Sequence, residues 1–283
     1  MVVESLFHPI SAEKKPMRLF FIGFLYSSIA VFLSLWIFEN QASFIMVFLI
    51  VIACVPLLYN TIKLEESKDM VIVGRRKLLR EHGKAIKFLM FLFLGITLSS
   101  VLWYTVLPRE VVNTLFDKQT KTISEINNNV SGNATTQVGR FFKIFFNNLK
   151  VLSFAILFAL VYGTGAIFIL TWNATIIGTA MGNFIRQNLA SYAGTFGAVN
   201  IASYFQVVSL GILRYMIHGI PEIMAYFYGG LAGGIISVAV IRHHYTSKKF
   251  LTIVEDSADL VMLSIFLLVV GALLEVYITP ILF

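Results

Sequence analysis

Residues 214–230 read RYMIHGIPEIMAYFYGG and place an arginine (Arg214), a histidine (His218) and a glutamate (Glu222) inside a run that is otherwise soluble in lipid. Ionisable side chains are costly in hydrocarbon and mark a pathway, a site or a neutralising contact. Three further polar sets interrupt apolar runs: the pair Asn147-Asn148, Asn173, and Glu275 followed by Thr279-Pro280. A zinc hydrolase needs two histidines and a carboxylate on one helix face, as in H-E-x-x-H. His218 has no second histidine near it, since His8, His82, His243 and His244 fall in terminal or connecting segments. No serine or cysteine sits in a G-x-S-x-G elbow. Neither a metal nor any other cofactor is implied.

Two readings of the stretch follow. In the first, Gly219 and Pro221 end one span and start another. Proline suits the first position of a helix, and Glu222 then lies in the first turn, where free amides and the helix dipole favour a carboxylate. His218 sits beside it and Arg214 supplies the countercharge, so the set is a polar staple. In the second, the break at His218–Pro221 and the segment TWNAT around Asn173 are interrupted helices of the kind that hold a substrate in transporters.

The elements that carry these residues are membrane spans. Hydrophobic residues make up 58% of the 283 and charged residues only 13%, with a mean hydropathy of +0.82. A span needs about 20 largely apolar residues. Seven windows qualify: Met17–Phe38, Ala42–Tyr59, Phe88–Leu107, Leu149–Leu170, Thr195–Leu213, Pro221–Ile241 and Ala258–Phe283. The fold class is an all-α polytopic bundle. Residues 1–60 form a hairpin, 61–87 a basic connector and 88–283 a five-span core with an outer loop at 108–143. Neither polar stretch reaches the roughly 40 residues that an independent core requires.

The net charge of +7 is carried by loops and does not indicate nucleic acid. Lys14, Lys15 and Arg18, the cluster from Lys63 to Lys87, and Arg242, Lys248 and Lys249 share one side if the spans alternate. The positive-inside rule then puts the N-terminus in the cytoplasm and the C-terminus outside. Residues 108–143 face out and carry two glycosylation patterns, at Asn129 and Asn133, around a centre that reads as flexible. That loop is a surface for a protein partner. Cys54 stands alone, so no intramolecular disulfide forms. Gly178-xxx-Gly182, Gly229-xxx-Gly233 and Gly230-xxx-Gly234 let helices approach closely, either within one chain or between two copies.

The run His218-Gly219-Ile220-Pro221-Glu222, with Ala225 after it, resembles the signature P-H-G-I-x-E-x-x-A of the stage II sporulation protein M family. Ile217 stands where that family has proline. Asn147-Asn148, Asn173 with Gly178, and Leu274 to Pro280 resemble its other blocks, in the same order over about 88–283. The resemblance implies a membrane scaffold that organises partner proteins, since members in spore formers work with cell-wall hydrolases and relatives extend to archaea. It carries over no substrate. Three expectations compete: a non-enzymatic scaffold, in which the polar residues pack without a cavity; a small-solute or ion transporter or channel, in which they line an aqueous pocket; and an intramembrane hydrolase, disfavoured by the missing second metal ligand beside His218.

Overall fold

The computed structural model describes residues 16–72, 75–131, 136–196, 201–242 and 250–282, and every regular element among them is helical. Six helical stretches are long and apolar enough to cross a bilayer. The first, Pro16–Val71, turns back at the short 3-10 turn Glu39–Gln41, so the described residues make seven passes.

Helix α1 (Pro16–Phe38) runs parallel to α3 (Arg75–Val106): Gly95 lies against the Phe20 backbone, the Ser28 and Ser99 hydroxyls are 3.0 Å apart, and Phe32 meets Trp103 edge to face. Helix α2 (Ala42–Val71) runs the other way, from Ser43 beside residue 119 to Glu65 beside His82. Two short helices follow α3 on one face of the bundle, α4 (Arg109–Leu115) and α5 (Asp117–Ser131). Then come α6 (Gln137–Tyr162), α7 (Ala166–Phe196), α8 (Ile201–Ile241) and α9 (Phe250–Leu273). The last helix continues through a π-helical turn, Leu274–Ile278, into Thr279–Leu282.

Two expectations about the elements need correction. The windows Thr195–Leu213 and Pro221–Ile241 are not two spans, because Ile201–Ile241 is one helix with Pro221 inside it. The missing span is α7, whose polar residues lowered its apparent hydropathy. Proline removes one amide and crowds the carbonyl four residues back, but in a membrane bundle neighbouring helices and local adjustment re-satisfy the freed groups. At about 1.5 Å per residue, α8 is roughly 60 Å long, twice the hydrocarbon thickness. The outer segment 108–143 is largely helical where the chain is described, since α4 and α5 occupy most of it, while Gly132 at the centre of the stretch read as flexible lies outside the described residues. Asn129 lies on the last turn of α5, and Asn133 lies outside the described residues.

Helix α5 is amphipathic, with Gln119, Thr122, Ile123 and Ile126 on one side at helical spacing and Lys118, Lys121 and Glu125 on the other. Its N-terminus is stitched down: Ser43 Oγ donates to Gln119 Oε1 at 2.7 Å, the Lys118 amide donates to Ser43 Oγ at 3.2 Å, and Gln119 Nε2 donates to Thr175 Oγ1 at 3.4 Å. Asp117 opens the helix, where a carboxylate complements the dipole. The hydrogen bond from Lys121, aided by Lys118, holds its carboxyl below the ordinary value. Helices α6 and α7 meet at Gly163, whose φ of +63° favours glycine.

Candidate functional site

Helix α8 is the axis of the site, packed against α6, α7 and α9 as well as α2. It runs parallel to α6, with Glu222 level with Asn148 and Gly233 level with Ile156. It runs antiparallel to α9, with Gly271 and Glu275 beside Glu222 and Thr279 beside His218. Asn148 Nδ2, from a buried amide, donates to Glu222 Oε1 at 2.7 Å. Glu222 also fills the notch at Gly271, where a Cβ would lie 2.7 Å from the Glu222 Cγ. On α9 the Thr279 hydroxyl donates to the Leu274 carbonyl at 3.1 Å and lies 3.3 Å from His218 Nδ1. The π turn that contains Glu275 re-aims its side chains relative to a regular helix, as such turns do at functional sites.

Asn148, His218, Glu222 and Glu275 line one cavity of about 420 Å³, within the range of roughly 300–1,000 Å³ that small-molecule sites occupy. Asn147 and Asn148 enter from α6, Asn173 from α7, His218 and Glu222 from α8, and Glu275 from α9. Ile123 and Ile126 of α5 form its roof, and Trp172, Tyr226 and Phe154 belong to its apolar lining. Its polar lining combines two carboxylates with amides and an imidazole. Such a lining can accept hydrogen bonds from a cationic group and orient it.

Six of the seven predicted polar residues therefore come together, from four helices. Arg214 does not join them. It lies two turns earlier on the same unbroken helix, with its guanidinium 5.4 Å from the centre of the Phe184 ring. It lines a neighbouring cavity of about 170 Å³, so it is not the countercharge to Glu222. The staple required a turn between Arg214 and Glu222, and the continuous helix removes that turn. Asn173 lies within α7, where its Nδ2 donates to the Ile169 carbonyl at 2.7 Å.

The family model for stage II sporulation protein M matches residues 85–280, the whole of the segment that builds this cavity. The chain belongs to that family. No curated protein and no solved structure matches it. The match excludes α1 and α2, so the N-terminal hairpin is an addition to the stage II sporulation protein M core, seated on α3 and α7.

The predicted packing glycines all serve contacts within this chain. A Cβ on Gly178 would lie 2.5 Å from Ser100 Cβ, and one on Gly182 would lie 2.7 Å from Tyr104 Cβ, both across to α3. Gly229 abuts Leu152, Gly230 abuts Ala166, Gly233 abuts the Ile156 carbonyl, and Gly234 abuts Ile62. Close backbone approach replaces the hydrophobic drive that is missing between helices in lipid.

A second polar cluster at the opposite end of the bundle escaped the sequence reading. Glu65 Oε2 is 2.8 Å from His82 Nδ1, and Asp69 Oδ1 is 3.0 Å from His82 Nε2. Lys68 donates to Glu65 Oε1 at 2.7 Å, and Arg242 donates to Glu66 Oε2 at 2.7 Å and to Ser67 Oγ at 3.3 Å. The His82–Asp69 contact is an ion pair by distance without hydrogen-bond alignment. Counting only the basic residues of the connector hid this cluster. The available signal was Glu65 and Asp69, four apart and so on one helix face.

Proposed function

We propose that this stage II sporulation protein M family member is a non-enzymatic protein of the cell membrane that binds a small polar solute in the cavity roofed by α5. The solute is cationic where it meets Glu222 and Glu275. One observation carries the reading: polar residues from four helices line a single space of about 420 Å³. Two carboxylates facing one cavity repel, and a cation between them relieves that repulsion. Methylammonium is the simplest probe. Added to the full chain in detergent, it is expected to raise the melting temperature with saturation, because a ligand that binds only the folded state stabilises it by mass action. The Glu275→Gln variant should lose that rise. A wild-type response no greater than that to sodium chloride at equal ionic strength would remove the reading.

A second reading, a scaffold that organises a protein partner on the outer face or pairs with a second copy, is favoured by the α4–α5 platform. Lys118 and Lys121 of that platform are exposed and pair with Asp117. A photo-crosslinking residue in place of Lys121 that forms no adduct in native membranes would argue against it.

Both readings use the orientation with the N-terminus in the cytoplasm and α4–α5 outside. It is supported by the basic residues Lys68, Arg80, Lys84 and Arg242 at the far end of the bundle. A fluorescent reporter that matures only in the cytoplasm, fused after Phe283, is expected to stay dark. Bright cells would invert the topology.

A further inference from the structure

The cavity that holds Glu222 and Glu275 shares a wall with the one that holds Arg214. Ile123 of α5, Ala180 of α7 and Tyr215 of α8 line both. The second cavity is polar in its own right: Tyr104 Oη donates to Asn183 Oδ1 at 3.5 Å, and Thr120, Thr179 and Gln187 lie around it. None of the ion pairs among the described residues involves Arg214, whose guanidinium is held over the Phe184 ring. One helix thus presents to one cavity a cation that has no counter-ion among the described residues, and a carboxylate to the next. Eight residues separate Arg214 from Glu222, which at 1.5 Å per residue is about 12 Å along the axis.

We infer that the two cavities form one bipartite site for an extended zwitterion of about tripeptide length. Its ammonium lies between Glu222 and Glu275, its carboxylate lies on Arg214, and an apolar middle residue packs against Ile123, Ala180 and Tyr215. The match of length decides the class. An extended chain covers about 3.3–3.6 Å per residue, so three residues span roughly 10 Å. A single amino acid is too short to reach both charges, and so is a phosphoethanolamine headgroup. The inference rests on the solute-binding reading and specifies its ligand.

The test is titration calorimetry of the full chain in nanodiscs with trialanine. N-acetyl-trialanine removes the ammonium and trialanine amide removes the carboxylate. Each is expected to bind at least about tenfold more weakly, the scale of a lost charge-assisted hydrogen bond. In Arg214→Gln the free peptide should weaken to the level of the amide, while the amide itself is unchanged. Equal binding of blocked and free peptides overturns the proposal, and so does tighter binding of glycerophosphoethanolamine. If methylammonium stabilises the protein and trialanine does not bind, the bipartite site falls and the solute-binding reading stands. If neither binds, both fall. The blocked peptides decide the matter even if Arg214→Gln does not fold.

Discussion

Replacing His82 with alanine is expected to destabilise the folded chain by about 3–5 kcal/mol, the cost of removing one partner from a buried ionic set. The His82 side chain is 1% exposed, and the two carboxylates it lies between belong to side chains that are 0% and 1% exposed. Glu65 keeps Lys68, but Asp69 loses the cation beside it while a further carboxylate, Asp256, remains close enough to repel it. Burying a carboxylate without a counter-ion is far costlier than never having placed it there. The measurement is the melting temperature of the full chain in detergent. The combined variant Glu65→Gln, Asp69→Asn, His82→Leu should recover most of the loss, because both buried carboxylates are removed along with the imidazole between them. A His82→Ala protein that melts with the wild type would show that the cluster is not held by charge. The cluster joins α2 to α3, with Arg242 bringing in the end of α8 through Glu66. It ties the added hairpin to the family core.

Gly95→Val should be comparably damaging, through crowding. A Cβ at residue 95 would collide with the carbonyl of Phe20 and come within 2.8 Å of the Phe24 amide, both backbone atoms of α1. Across the same contact, a Cβ at Gly23 would collide with the Leu92 carbonyl. Flexible side chains can yield to an extra methyl, whereas two helix backbones can only separate. Separation would also pull apart the Ser28–Ser99 contact and the 3.0 Å bond from Trp103 Nε1 to Ser28 Oγ. Overpacking a close contact costs about 1–3 kcal/mol, and valine at a backbone-to-backbone contact belongs at the upper end. Gly219→Val is the control on the same scale, since nothing lies within 4 Å of a Cβ built there. A melting temperature for Gly95→Val equal to that of Gly219→Val would contradict the close approach of α1 and α3.

How far the site was legible in the chain differs from residue to residue. Asn147, Asn148, His218, Glu222 and Glu275 stood out because each interrupts an apolar run, and that is a local property. Asn173 stood out too, but it falls beyond the window Leu149–Leu170, in a segment that by itself is short of a span. Arg214 was assigned the wrong partner for a single reason. Gly219 and Pro221 form a turn in most sequences, and a turn would have folded Arg214 back toward Glu222. In α8 the helix runs through, and the two charges lie in different cavities. The Glu65–Asp69–His82 cluster was hidden because its members are spread over two helices, amid basic residues that dominate any count of charge.

Residue types and their spacing alone determined that the protein lies in a membrane, that it is helical, and which family it belongs to. Hydropathy over about 20 residues and a few ordered polar blocks are read along one stretch of chain at a time. Only the tertiary structure decided which stretches join into one helix, that α5 folds down as a roof, that Asn148 bonds Glu222, and that a cavity lies among the polar residues. Between helices in lipid no hydrophobic pattern selects a partner. Neighbours are chosen by close packing and hydrogen bonds between residues far apart in the chain, as where Gly95 admits the backbone of α1.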